Sequence, residues 1–303
     1  MKEFRKLIIC LITVITLICV VDSLAGKILD RFSHEYGNLD FRRARNNDAD
    51  IAIIGASVAF NNYNSQILSD SLNVKVYNYG FGGQSIYYHY CILHYLLDLS
   101  EYRPRIVIFN PCYIDIADAP GWNTEKISTL YFDYSNDSTI KEVIGLEDEK
   151  EKKLLSVIKL YHHNSQIPDY VRNYIRRNVK TDGFMPLHGI WDQPLQDNVN
   201  TGLSIDPQKL IYFKKMIELC KNKDVPLYII TAPVFLQYFK EEPWQYEINN
   251  IAQQNGIPTM DYSADPIFLQ HPEWFYNTTH LNEDGAEIFS KKLSHDLKYQ
   301  IGF

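Results

Sequence analysis

The sequence predicts an α/β fold of three layers, α/β/α, with a central parallel sheet between helices. Short, continuously apolar runs recur along the chain, of the kind buried on both faces of a parallel sheet. Amphipathic helical stretches alternate with them, and that alternation is the signature of parallel strands joined by crossover helices. The 303 residues are 46% apolar and 22% charged, which excludes a disordered chain, a collagen-like fibre and a multi-span transporter.

The first element sets the compartment. Lys2, Arg5 and Lys6 precede an apolar run from Leu7 to Val21, and positive charge on that side keeps the N-terminus cytoplasmic. The run is shorter than the roughly 20 residues a membrane span needs. Ser23-Leu24-Ala25, followed by Gly26, resembles a signal-cleavage site. Two readings follow. In one, residues 1–30 are an uncleaved single-pass anchor that continues as helix through Leu24, Ile28 and Leu29, with Asp22 at the outer interface. In the other, the segment is cleaved near Ala25 and the remainder is secreted. Both place the bulk of the chain outside the cytoplasm, in a periplasm or at a cell surface. Thr16-Leu17-Ile18 lacks the small residues expected before a lipidated cysteine at Cys19.

A polar linker holding Arg42, Arg43, Arg45, Asn46 and Asn47 leads into a domain expected over 48–303. Asp50-Ile51-Ala52-Ile53-Ile54-Gly55 reads as the first strand and Val74–Asn78 as the second. A helix over about Ser85–Leu99 follows. Pro104 precedes the third strand, Arg105–Phe109. Asp206-Pro207 is an N-cap with proline at the first helical position, and Leu210, Phe213, Ile217 and Cys220 share one face of that helix. Pro226–Ile230 is the fourth strand. A helix through Ile248 and Ile251 precedes Gly256 and the fifth strand, Ile257–Tyr262. The last helix opens at Asn282 with Glu283 and Asp284 in its first turn, where they suit the helix dipole. Ala286, Phe289, Leu293 and Leu297 line its buried face. Residues 112–204 break the alternation. A structureless loop of that length is improbable in a compact domain, so the stretch reads as an inserted, partly helical subdomain on the strand ends, shaping a substrate site or a partner surface. It carries a charge run, Glu147–Lys153, and a basic stretch, Arg172–Lys180.

Composition narrows the chemistry. A net charge of -7 and a pI near 5.7 argue against a nucleic-acid binder, which would show a basic face. Five cysteines, two of them in the apolar N-terminal run, leave an odd set without C-x-x-C spacing. That predicts neither a disulfide framework nor structural zinc, and no cofactor is expected. His162 and His163 are adjacent and so point apart, which suits solvated or substrate-contacting side chains better than a metal site. His89 and His94 read as core or boundary histidines.

In open parallel sheets, ligands bind beyond the carboxyl ends of the strands, and three features fall there. Gly55-Ala56-Ser57 follows the first strand, where a sharp turn lets a serine hydroxyl project; such a serine needs an adjacent base to become a nucleophile. Asn78-Tyr79-Gly80-Phe81-Gly82-Gly83-Gln84-Ser85 follows the second strand, and its glycines free backbone N–H groups to face a ligand or an oxyanion. It does not match the dinucleotide fingerprint G-x-G-x-x-G, because the third position is Ser85. Asn277-Thr278-Thr279-His280-Leu281-Asn282 precedes the final helix, a good position for a general base. Gly55-Ala56-Ser57-Val58-Ala59 also nearly matches the G-x-S-x-G elbow of α/β-hydrolases, but that elbow comes after several strands rather than the first.

Taken together, the order and positions of these features resemble the SGNH (GDSL-like) hydrolase superfamily, from about Asp50 to Leu297 apart from the insertion. That resemblance implies a flavodoxin-like sheet. It implies Ser57 as nucleophile, His280 as base, and the N–H groups of Ser57 and Gly83 as an oxyanion hole. In the family's D-x-x-H motif the acid position is Asn277 here, and an amide does not stabilise an imidazolium as a carboxylate does. A backbone carbonyl, or Asp261, Asp265 or Asp115 from another loop, would be an alternative partner for His280. After the third strand the segment Asn110-Pro111-Cys112-Tyr113-Ile114-Asp115 shows no clear G-x-N-D; Asn110 comes early and Tyr113 stands in the equivalent place. The anchor, the insertion and the G-x-S start look most like cell-envelope members that assist polysaccharide O-acylation or teichoic-acid D-alanylation. The resemblance therefore implies a membrane-tethered serine esterase or acyltransferase acting on acyl esters of envelope glycans. The alternative is a catalytically impaired relative that binds glycan or serves a membrane O-acyltransferase as an accessory subunit.

Overall fold

The structure is a computed structural model. It describes residues 1–37, 39–121, 127–134, 136–163, 166–175, 182–194, 196–197, 202–237 and 242–301. The end of the basic stretch, residues 176–180, lies outside them.

In chain order the elements are α1 (Lys2–Tyr36), α2 (Leu39–Arg45), β1 (Ile51–Gly55), α3 (Ser57–Asn62), α4 (Ser65–Leu72), β2 (Val76–Asn78) and α5 (Ile86–His94), which continues as one π turn, Tyr95–Leu99. Then come β3 (Ile106–Asn110), α6 (Tyr113–Ile116), a 3-10 turn (Ile127–Asp133), α7 (Ser138–Ile144), α8 (Glu149–Val157), a second 3-10 turn (Lys159–His163) and α9 (Ile167–Ile175). The remainder is β4 (Gln196–Asp197), α10 (Pro207–Asn222), β5 (Leu227–Thr231), β6 (Leu236–Gln237), α11 (Pro243–Gln254), β7 (Thr259–Asp261), α12 (Pro266–Leu269), a 3-10 turn (Pro272–Trp274) and α13 (Glu283–Ile301).

The chain forms two compact units. The larger, residues 43–126 and 180–303, is built on a five-stranded sheet in the order β2-β1-β3-β5-β7, with every pair parallel. Ile51, Ile53, Ile108 and Ile230 point to one face, where they bury Tyr63, which follows α3, Leu68 of α4, and Phe289 and Leu293 of α13. Side chains alternate along a strand, so Ile54, Val107 and Phe109 serve the other face, beneath α5 and α10; the Phe109 and Phe213 rings lie 6.1 Å apart there. The expected caps are present. The Asp206 carboxylate accepts the N–H groups of Gln208 and Lys209, and Asn282 Oδ1 accepts that of Gly285. All four residues expected on the inner face of the last helix are buried. One position differs in α10: Lys209 is buried and Leu210 only half-buried, because the Lys209 ammonium reaches the carbonyl of Ala117, 2.9 Å away.

The smaller unit joins residues 1–42 to residues 127–179. The insertion expected over 112–204 therefore divides. Its central part folds with α1, while 112–121 and 182–194 stay with the sheet. The reason lies in α1, which runs past the apolar stretch as one helix and offers polar anchors beyond it. The Asp22 carboxylate accepts the N–H groups of Lys159 and Leu160 at 2.9 and 3.0 Å, capping that 3-10 turn. His163 bridges Asp30 Oδ1 (3.2 Å) and the Tyr170 hydroxyl (3.0 Å). His162 and His163 are thus buried and hydrogen-bonded, not solvated as their adjacency suggested. The whole apolar face of α1, from Phe4 to Ile28, is exposed, and the helix is long and apolar enough to cross a membrane.

Candidate active site

The site is assembled at the carboxyl end of β1. Gly55 closes the strand at φ 149°, and a β-carbon there would fall 2.6 Å from the Asn110 carbonyl oxygen. Only glycine fits this close approach. The chain then turns through Ala56, and Ser57 opens α3. The second strand holds that helix in place. The amide nitrogen of buried Asn78 donates to the carbonyls of Ala59 (2.7 Å) and Tyr63 (3.0 Å), while its oxygen accepts the Gly80 N–H. Gly80 packs so tightly on α3 that a β-carbon would lie 2.5 Å from the Phe60 nitrogen. The glycine loop is therefore fastened to the helix that Ser57 opens.

The second half of the site is the turn before α13. Phe275 and Leu281 form an antiparallel bridge, and the His280 carbonyl accepts the N–H of Tyr276 at 2.9 Å. Inside this turn the Asn277 Oδ1 accepts the N–H groups of Thr279 (3.0 Å) and His280 (2.9 Å). These backbone donors fix which end of the amide faces inward, because only oxygen can accept them. The same oxygen lies 2.9 Å from His280 Nδ1, so Nδ1 carries the proton and donates it to Asn277. Nε2 is then left as an acceptor, 2.8 Å from Ser57 Oγ. Ser57 and, far along the chain from it, Asn277 and His280 form a continuous hydroxyl–imidazole–amide relay. Each is half-buried, so the relay is reachable from solvent.

Burial holds the His280 pKa below its ordinary value, and among the described residues no carboxylate acts against it. Asp261 and Asp265 accept backbone N–H groups of their own turns, at Ser263 and Ile267. Asp115 is fully buried, takes the Cys112 N–H and lies 3.3 Å from His89. None of the three partners His280, so the imidazole stays neutral through the neutral pH range, as a general base requires. The Cys112 thiol, beside Asp115, is pushed well above its ordinary pKa by burial, which leaves it unreactive.

The glycine loop supplies the wall beside Ser57. A β-carbon on Gly82 would rest 3.8 Å from that of Ser57, and Gly83 takes a left-handed φ of 73°. Asn110 is turned elsewhere. It is buried, and its Oδ1 accepts the Tyr63 hydroxyl (2.7 Å) and the Ala232 N–H (3.0 Å), tying β3 to β5. Tyr113 opens α6 and is exposed, while its neighbour Ile114 packs on Ala56, the residue before Ser57.

Two positioning features escape a motif reading. Asn62, in the last position of α3, accepts the Leu281 N–H at 3.0 Å and donates to the Thr279 carbonyl at 3.4 Å, gripping the chain on both sides of His280. The only signal for it is the Asn61-Asn62 pair one helical turn beyond Ser57. The segment 182–191 ties the same two elements together. Met185 bonds to Phe60 and Asn61 on α3, whereas Leu187 bonds to Glu283, Gly189 to Asn282 and Trp191 to Phe275. Its residues carry no motif, and the tie is made almost entirely through backbone groups. Among the described residues no group of His, Cys, Asp and Glu is arranged to hold a metal ion. No protein-family model matches the chain, and no curated protein matches it.

Proposed function

We propose that the chain is a membrane-tethered serine esterase or acyltransferase working outside the cytoplasm on acyl esters of envelope glycans. The observation that carries this reading is the relay from Ser57 through His280 to Asn277. In the proposed reaction, Ser57 Oγ attacks the ester carbonyl carbon while Nε2 of His280 takes its proton. The tetrahedral oxyanion is held by the N–H groups of Ser57, at the start of α3, and of Gly83. As the carbon–oxygen bond to the alcohol breaks, His280 returns the proton to the leaving oxygen, giving an acyl-serine. Water or a sugar hydroxyl then attacks that ester with His280 again as base, which releases a carboxylic acid or a new ester. Asn277 fixes the imidazole tautomer but brings no negative charge. The wrong-tautomer penalty of about 10⁴ that an Asp-to-Asn change causes in the serine-protease template is avoided here, because the backbone N–H groups present Oδ1 to the ring. The envelope-glycan substrate rests on the resemblance to SGNH proteins and on the apolar α1.

A second reading has its own support: Asn110 is locked into the strand ends, its oxygen held by Tyr63 and Ala232 and its amide nitrogen donating to the Pro111 carbonyl, and among the described residues no carboxylate backs His280. On that reading the protein binds glycan or assists a membrane O-acyltransferase without turning over ester itself. Fluorophosphonate labelling separates the two. An activated serine labels in the natural protein and fails to label in both Ser57→Ala and His280→Ala. Folded protein that resists the probe points to the accessory role.

For the N-terminus we favour the retained anchor. Cleavage after Ala25 would remove Asp22, whose carboxylate caps the Lys159–His163 turn.

A further inference from the structure

We propose that the corner Val157–Ile158 is a second membrane contact, seated beside α1 in the boundary layer between acyl chains and headgroups. The inference rests on α1 spanning the bilayer. With Lys6 at the inner boundary, about 30 Å of hydrocarbon takes up about 20 helical residues, which puts the outer boundary near Gly26. Asp22 then lies about four residues, or some 6 Å, inside it. A carboxylate there is costly unless hydrogen-bonded. Its two oxygens are met by the N–H groups of Lys159 and Leu160. Those donors reach Asp22 only if their segment descends to the same depth. Close approach is built in: Gly26 lies against Lys159, where a β-carbon on the glycine would come within 2.6 Å of the Lys159 β-carbon.

At the corner two apolar side chains are exposed, Val157 at 71% and Ile158 at 38%, just before the Lys159 that meets Gly26, and Leu24 and Ile28 on either side of Gly26 in α1 are exposed too. Lys27, Arg31 and Lys159 are also exposed around this level, placed to meet headgroup phosphates while their stems lie along apolar surface. Apolar side chains at the boundary depth, flanked by basic ones, are what an interfacial contact requires. The occupant is therefore the bilayer that α1 enters.

The test uses the full chain in phospholipid vesicles, with the natural cysteines replaced by alanine and a single cysteine carrying an environment-sensitive fluorophore at Val157→Cys. The control is Ile175→Cys. Ile175 is equally exposed at 72%, but its neighbour Tyr174 packs on Tyr36, about 21 Å further along α1 than Asp22. Circular dichroism checks that both variants fold. The expected result is blue-shifted emission at 157, quenched by a nitroxide carried near the acyl-chain carbonyls, with 175 unshifted and unquenched. Equal behaviour of the two probes, on protein that floats with the vesicles and keeps Met1, overturns the corner contact and leaves the span standing. Protein that does not float overturns the span, and the corner contact with it.

Discussion

The side chain of Asn62 accepts the Leu281 N–H at 3.0 Å, so the last residue of the helix that Ser57 opens holds the backbone of the His280 loop. Its amide nitrogen reaches the Thr279 carbonyl on the other side of His280. The distance between Ser57 and His280 is thus held by a direct clamp between their own elements, in addition to the support α3 takes from Asn78 at the end of β2.

Asn62→Ala should therefore act on the chemical step. Removing the side chain leaves the buried Leu281 N–H without a partner, at a cost of about 1–3 kcal/mol in stability. A misplacement of about 1 Å between reacting groups costs up to about 10²-fold in rate. The expected outcome is a lower melting temperature together with a 10–100-fold lower kcat, at nearly unchanged KM. Steady-state kinetics on a chromogenic ester checks it. A raised KM with unchanged kcat would show that Asn62 shapes the substrate pocket instead.

Asn277→Asp should move the pH profile. Burial holds the His280 pKa below its ordinary value. Activity needs the neutral imidazole, so in the natural protein it falls only as pH drops through that lowered pKa. A carboxylate at 277 would take up the same hydrogen bonds and favour the imidazolium. It should raise the pKa by about 1–3 units and shift the acid limb to higher pH by as much. Above that limb kcat should rise, because the imidazolium formed in the transition state gains a counter-charge. The rate of fluorophosphonate labelling against pH reads both effects, and an unmoved limb would mean that another group titrates in the profile.

Gly80 and Gly82 of the loop should separate folding from function. A β-carbon at Gly80 meets the α3 backbone at 2.5 Å, whereas one at Gly82 makes an ordinary 3.8 Å contact with Ser57. Gly80→Ala should cost about 1–3 kcal/mol by overpacking and lower the melting temperature. Gly82→Ile should fold normally yet screen Ser57, and slow labelling by a bulky phosphonate more than by a small one. Equal melting temperatures for the two variants would show that the loop yields instead of resisting.

The sheet was legible because its strands are apolar on both faces: Ile51–Gly55 and Ile106–Asn110 are buried at every position. Strand ends and caps followed from glycine, proline and Asx residues, whose effects are local. Ser57, His280 and Asn277 were legible as residues for the same reason, since each sits at a strand end or a helix entrance. Their contact was not, because it is made between positions 223 residues apart and depends on Asn62 and on backbone bonds of 182–191. The pairing of 127–179 with α1 was hidden too. It rests on single polar contacts such as Asp30 with His163, which leave no periodic trace. His162 and His163 misled because local spacing shows that two side chains diverge, not what each one meets.

Those contacts lead to the last prediction. Asp22 follows the apolar run and precedes the cleavage-like Ser23-Leu24-Ala25. A cleaved chain would begin at Gly26, leaving the Lys159 and Leu160 N–H groups without their acceptor. Hydrogen bonds to a charged group contribute about 1.5–3 kcal/mol each, so the helix is part of the smaller unit's stability. Mass spectrometry of protein purified from membranes should find the N-terminal segment intact. Asp22→Ala should lower the melting temperature in detergent, while fluorophosphonate labelling at low temperature persists. A mature N-terminus at Gly26 would overturn this account of the smaller unit, and with it the reading of α1 as an anchor.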